Sequence, residues 1–122
     1  MFRLAVKKEF SAAHSLREYQ GKCEGLHGHN WKVEAVVIAK ETDSRGLVMD
    51  FHDIKEILNN VLEVLDHKHL NSIVYFKKVN PTSENIAKYI FKNAGDKLKS
   101  AGCKLKEITV WESDNCSATY FK

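Results

Sequence analysis

Residues 27–40 read HGHNWKVEAVVIAK. Trp31, Val33, Ala35, Val37 and Ala39 alternate with Lys32 and Glu34, then with Val36 and Ile38. A period of two is that of a β-strand. The first half is apolar on one face, and the second half is apolar on both and is expected to be buried on both. His27 and His29 open the strand with only Gly28 between them, so both imidazoles fall on one face and the other face is bare. Upstream, residues 2–13 (FRLAVKKEFSAA) repeat the alternation through Phe2, Leu4, Val6 and Phe10, with an irregularity expected near Lys7-Lys8. Paired antiparallel, the two strands bring His14, after the first, to His27 and His29 at the start of the second. Neutral imidazole suits a borderline metal. Three protein ligands with an open fourth position for water or substrate is the geometry of a catalytic zinc.

The connecting segment 15–26, SLREYQGKCEGL, is polar and glycine-punctuated, so it reads as a loop. It sets Cys23 and Glu24 just upstream of the paired histidines, and loops on rigid scaffolds often carry catalytic groups. Past the second strand, Asp43-Ser44-Arg45-Gly46 is a turn and Leu47-Val48-Met49 a short extended piece. Asp50 is suited to cap a helix that has Asp53 in its first turn. Ile54, Ile57, Leu58, Val61, Leu62 and Leu65 recur at helical spacing over 51–65. Asp66-His67-Lys68-His69 follows. Such a pair is a solvated turn or a histidine general acid/base tuned by its neighbouring carboxylate, with His69 as the second candidate.

Residues 72–81 read as a loop ending in Asn80-Pro81. Thr82 or Ser83 then caps a second helix with Glu84 in its first turn, an apolar face of Ile86, Ala87, Ile90, Phe91 and Leu98, and a stop near Ala101-Gly102. Residues 103–113, CKLKEITVWES, form a third long strand. Glu112, near its end, is either the polar end of a strand or an anchor for a guanidine-like edge, since a carboxylate accepts two parallel N–H bonds. Asp114-Asn115 turns the chain into a short last strand around Ala118 and Tyr120.

Strand, strand, helix, helix, strand, strand gives an α+β fold: a four-stranded antiparallel sheet with two helices on one face. The open edges of such long strands are a liability unless paired, so edge-to-edge association is a physical expectation. At 122 residues the chain is expected to form one domain, 1–122. Hydrophobic content of 43% and charged content of 29% are those of a soluble globular protein. A net charge of +3 suits an acidic small molecule such as a phosphate ester. The lysines are scattered, with no basic stripe interleaved with aromatics, which argues against nucleic acid. No apolar run approaches ~18 residues, so no membrane span is expected, and the N-terminus lacks a signal peptide's apolar core. A cytoplasmic protein is expected. Three cysteines make an odd count, which argues against a disulfide framework and leaves Cys103 and Cys116 as structural thiols.

Taken together, these residues resemble the 6-pyruvoyltetrahydropterin synthase and 6-carboxytetrahydropterin synthase family over essentially the whole chain. The resemblance rests on Phe10-Ser11-Ala12-Ala13-His14, Cys23 with His27-Gly28-His29-Asn30, Gly46 to Phe51, Leu65-Asp66-His67 with Leu70-Asn71, Asn80 to Asn85, and Glu112. It implies the tunnelling fold (T-fold), trimers closing a twelve-stranded barrel and stacked as hexamers, and active sites between subunits. It makes His14, His27 and His29 ligands of Zn2+, Cys23 the proton-abstracting base, and Asp66 with His67 the partner acid/base pair. Glu112 would hold a pterin's aminopyrimidine edge, helped by Thr82 and Ser83. Asp66, His67 and Glu112 would then be able to serve a zinc bound by another subunit.

The implied substrate is 7,8-dihydroneopterin triphosphate. The C-x-x-x-H-G-H spacing of Cys23 to His29 resembles the 6-carboxytetrahydropterin synthases of queuosine and 7-deazaguanine biosynthesis. Pyruvoyl-forming enzymes have a longer gap there. Glu24 departs from that pattern. A related folate branch, making 6-hydroxymethyl-dihydropterin, uses a glutamate as base, so a dual or folate-pathway enzyme is the alternative. A pterin-binding module without turnover is the non-enzymatic one.

Overall fold

The computed structural model describes residues 1–20 and 25–122. Among them, β1 (Phe2–His14) and β2 (His27–Ala39) are followed by α1 (Phe51–Leu62), a two-residue strand β3 (Lys68–His69) and a 3-10 turn (Leu70–Ser72). Then come α2 (Val74–Lys78), α3 (Ser83–Ser100), β4 (Lys104–Ser113) and β5 (Cys116–Phe121). The sheet order is β3-β1-β2-β4-β5. Four antiparallel strands with the two long helices on one face make the expected α+β T-fold. The addition is β3, which runs parallel to β1 through Ala12↔Lys68 and Ala13↔His69.

Beneath the helices, the alternation works as physics requires. Val6 and Phe10 of β1, Trp31, Val33, Ala35 and Val37 of β2, and Ile108 and Val110 of β4 are buried in one cluster. Ile54, Leu58, Val61 and Leu62 of α1 and Ile86, Ile90, Ala94 and Leu98 of α3 cover them. Each such aliphatic side chain contributes about 1.5–3 kcal/mol by leaving water. Val36, on the other face of β2, is also buried, in keeping with the doubly apolar half of that strand.

The helix ends follow their sequence signals. Asp50 caps α1 by accepting from the His52 N–H, and Thr82 caps α3 by accepting from the Asn85 N–H. Gly102, at φ +88°, ends α3 in the left-handed region that favours glycine.

Several expectations are corrected. β1 pairs with β2 in unbroken register from Phe2↔Ala39 to His14↔His27, so there is no irregularity at Lys7-Lys8. Both register shifts fall on β4 instead. Lys106 is skipped between Val36↔Glu107 and Val37↔Leu105, and Glu112 between Trp111↔Ser117 and Ser113↔Cys116. The helix expected over 51–65 ends at Leu62, while Leu65 stays buried in the turn beyond it. Residues 47–49 form no strand, and the chain bends at 48 and 49. Segment 72–81 is not all loop: α2 lies within it and seats Phe76 in the core. Cys103 is buried, but Cys116 is exposed at the start of β5 and packs into no core.

Candidate metal centre

The unbroken β1–β2 register places His14 opposite His27, and His29 opposite Ala12. Alternation turns all three imidazoles to one face at the sheet's end. Their nearest ring nitrogens all lie within 4.8 Å of one another, and this group could hold a metal ion. The rings meet edge to face at centroid separations of 4.5–5.2 Å.

Two backbone carbonyls fix the tautomers. His14 Nδ1 lies 2.8 Å from the Pro81 carbonyl and His27 Nδ1 lies 2.9 Å from the Gly25 carbonyl. A carbonyl only accepts, so each Nδ1 carries the proton and each Nε2 presents a lone pair. Those two Nε2 atoms face each other at 2.9 Å. The third, His29 Nε2, is buried with no hydrogen-bond partner. Ring nitrogens converging from one buried and two half-buried imidazoles fit a cation, and ring N–H groups donated to carbonyls are the usual outer support of metal-bound histidine. Burial pushes the His14 pKa down, against the opposing pull of the Pro81 carbonyl, so the ring is held in its neutral, ligating form.

The floor of this group is Trp31, which sequence reasoning treated only as core. Its ring meets His14 and His29 edge-on at 4.9 and 5.1 Å, and its indole N–H donates to the Ala12 carbonyl at 3.2 Å. The signal was present: Trp31 stands two residues after His29, on the same strand face.

The Asn80-Pro81-Thr82-Ser83-Glu84-Asn85 stretch holds the roof. Asn80 mimics a strand partner, accepting from the Arg17 N–H and donating to the Arg17 carbonyl at 2.9 and 2.8 Å. Asn71 does the same for Ser15 at 2.9 and 2.8 Å. Asn85 donates to the Asn80 carbonyl at 2.9 Å. The Arg17 guanidinium donates to the Phe76 and Val79 carbonyls. These bonds pin the chain after β1 against the segment that carries the Pro81 carbonyl to His14. Thr82 spends its side-chain oxygen on the helix cap, and Ser83 is the first residue of α3.

Glu112 reaches the same group. It is the residue skipped at the second β4 shift, and such bulges re-aim a side chain. Its Oε1 lies 3.5 Å from His29 Nε2 of the same chain.

Asp66 and His67 are built differently. His67 Nδ1 is 3.0 Å from Asp66 Oδ1, and their side chains are 81% and 40% exposed respectively. His67 sits at φ +57°, a left-handed conformation costly for a residue with a Cβ. Ser11 holds the corner, its N–H donating to Asp66 Oδ1 at 2.9 Å and its carbonyl accepting from the His67 N–H at 2.6 Å. The Ser11 N–H first, and His67 after it, keep the Asp66 carboxyl below the ordinary carboxylate range. His69, the other candidate, has no such carboxylate contact among the described residues and begins the 3-10 turn. Cys23 and Glu24 lie outside the described residues.

Comparison with known proteins agrees with this geometry. The family model for 6-pyruvoyl tetrahydropterin synthase matches residues 3–122. The chain is 40% identical over 124 residues to a 6-carboxy-5,6,7,8-tetrahydropterin synthase of Synechocystis, covering 95% of this chain and 92% of that protein. It is 36% identical over 112 residues to a dihydroneopterin monophosphate aldolase of Pyrococcus furiosus, covering 92% and 90%. The fold matches the 6-pyruvoyl tetrahydropterin synthase of Caenorhabditis elegans with a TM-score of 0.86 at 24% identity, over 99% of this chain and 95% of that one. By sequence match, fold and the residues gathered at the sheet's end, the chain belongs to the 6-pyruvoyl tetrahydropterin synthase family.

Proposed function

We propose that this chain is a zinc-dependent 6-carboxytetrahydropterin synthase, a lyase of the queuosine and 7-deazaguanine route. It converts 7,8-dihydroneopterin triphosphate and one water molecule to 6-carboxytetrahydropterin, acetaldehyde and triphosphate. The observation that carries the reading is the triad of inward-facing imidazoles, two of them tautomer-locked, in a chain 40% identical to a protein of that name.

His14, His27 and His29 would hold the metal. When bound, zinc acts as a Lewis acid on the substrate's side-chain hydroxyls, lowering their pKa and stabilising developing oxyanions. Cys23, as the thiolate, removes a proton from the side chain. His67, oriented by Asp66, shuttles the second proton. Glu112 accepts the two parallel N–H bonds of the aminopyrimidine edge. Ser83 would help hold that edge, as would Thr82, which also caps α3. The outer edge of β5 and that of β1 before its pairing with β3 at Ala12 support a barrel of chains joined edge to edge, three to a ring and two rings to a hexamer. Within it, the outward-facing dyad serves a neighbour's metal. No helix among the described residues is long and apolar enough to cross a membrane. We place the enzyme in the cytoplasm.

A second reading is favoured by Glu24 beside Cys23 and by the likeness to the Pyrococcus aldolase. A carboxylate and a thiol at adjacent positions reach different carbons of the side chain. The test is the mass of the pterin formed from 7,8-dihydroneopterin triphosphate by the zinc-loaded protein, its Cys23→Ala form and its Glu24→Gln form. A carboxy product lost only with Cys23→Ala is expected. A hydroxymethyl product lost with Glu24→Gln would select the aldolase reading. A pyruvoyl product would overturn the spacing argument, and no turnover with pterin bound would indicate a binding module.

A further inference from the structure

Imidazole ligands carry no charge, so three of them leave a divalent cation one ligand short of four and with its charge uncompensated. Among the described residues, one acidic group touches the triad. It is Glu112, whose Oε1 lies 3.5 Å from His29 Nε2. Glu112 is also the only carboxylate whose charge acts on His14.

The separation itself is informative. At 3.5 Å it is longer than a normal hydrogen bond, and the buried His29 Nε2 has no hydrogen-bond partner. Two ligand atoms held by one tetrahedral cation at about 2.0–2.2 Å stand roughly 3.3–3.6 Å apart. Ring nitrogen and carboxylate oxygen are therefore spaced as two ligands of one ion rather than as donor and acceptor. Among the described residues, no hydrogen bond and no second ion pair holds Glu112 elsewhere, and its side chain is 39% exposed. Nothing tethers the carboxylate in a single orientation.

We infer that Glu112 is the metal's fourth ligand while the site is empty of substrate, and that it leaves the metal when a planar aminopyrimidine edge offers it two N–H donors. The inference rests on the reading above for the metal and for the pterin. Two parallel N–H bonds need both carboxylate oxygens, so a Glu112 that has given one oxygen to the cation cannot hold the edge fully. Exchange of one role for the other couples recognition to coordination. The metal opens only once the ring is seated, and the side-chain hydroxyls arrive with that ring. In the resting protein the carboxylate offsets one charge of the cation and keeps stray anions off it.

The probe is Co2+ loaded into the full chain in place of zinc, because its visible absorption reports its ligands, with thiocyanate as a competing fourth ligand. Glu112→Gln and Glu112→Asp are expected to change their spectra at roughly 10–100-fold lower thiocyanate than the wild type, the worth of displacing one charged contact. Aspartate keeps the charge but is one carbon too short to reach the metal, so it separates coordination from simple repulsion of the anion. Unsubstituted pterin has the aminopyrimidine edge and no side-chain hydroxyl. Its binding is expected to make the wild type respond to thiocyanate as the variants do. Thiocyanate binding by the pterin-free wild type as tight as that by Glu112→Asp would overturn the fourth-ligand role. A wild type that stays closed with pterin bound, while both variants are open, would overturn the exchange. If pterin does not bind at all and both variants are open, the proposed function falls and the Glu112 ligand stands.

Discussion

The two reactive regions lie at the same end of the sheet and are built in opposite ways. The imidazole triad stands against the core: His14 is 1% exposed, the Nδ1 atoms of His14 and His27 each face a backbone carbonyl, and Trp31 closes the floor. The Asp66–His67 corner hangs on the outer edge of β1 with its imidazole 81% exposed and its backbone strained. A metal ligand has to be neutral, fixed and screened from competing water. The proton shuttle proposed for His67 needs reach, and this imidazole faces outward, where the proposed edge-paired neighbour would complete its surroundings. Rigidity and exposure are divided between two segments because one segment cannot supply both.

Breaking the core region has the largest expected effect. His27→Ala removes a ligand, so zinc affinity and turnover should fall beyond the roughly 10–100-fold that outer partners are worth, as metal content after dialysis and product formation would report. His67→Ala should lower kcat by about 10²–10⁴, the range of general acid–base catalysis, with metal content unchanged. The contrast is sharpest in His67→Gly. Activity should be lost while stability rises by up to about 1 kcal/mol, because glycine adopts the left-handed conformation without its steric cost. A denaturant midpoint that drops instead would show the corner is not strained.

Asn80→Ala should cost about 1–3 kcal/mol, since the Arg17 N–H and carbonyl lose their partner. It should also weaken zinc binding by about tenfold by loosening the Pro81 carbonyl on His14. The smallest effect is that of pH on the metal-free chain. Folding holds His14 neutral, so the unfolded chain binds its proton first, near its ordinary value of about 6.5. Stability should therefore be complete above that pH, fall as pH drops below it, and level off beneath the lowered folded value. His14→Gln should flatten that part of the curve of urea midpoint against pH.

Much of this was legible in the chain because period two is hard to disguise. The alternation through Phe10-Ala12-His14 and His27-His29-Trp31 fixes which side chains share a face, and antiparallel pairing then gathers the triad. The helix caps at Asp50 and Thr82 were equally local. What escaped depends on long-range partners. Nothing near Asn80 or Asn71 in sequence says that their amides pair with Arg17 and Ser15, more than fifty residues upstream. The short helix α2 is too brief for a periodic signal. The shift at Lys106 did leave a trace, in the slip of apolar phase from Leu105 to Ile108. The shift at Glu112 left none, and it is this one that turns a strand-end carboxylate toward His29.

The most direct test of the central claim is X-ray absorption at the zinc edge of the loaded protein. The account predicts three nitrogen neighbours at about 2.0–2.1 Å and one oxygen, with no sulfur. A sulfur neighbour near about 2.3 Å would mean that Cys23 closes the site as a fourth ligand, and the open, catalytic centre would be contradicted.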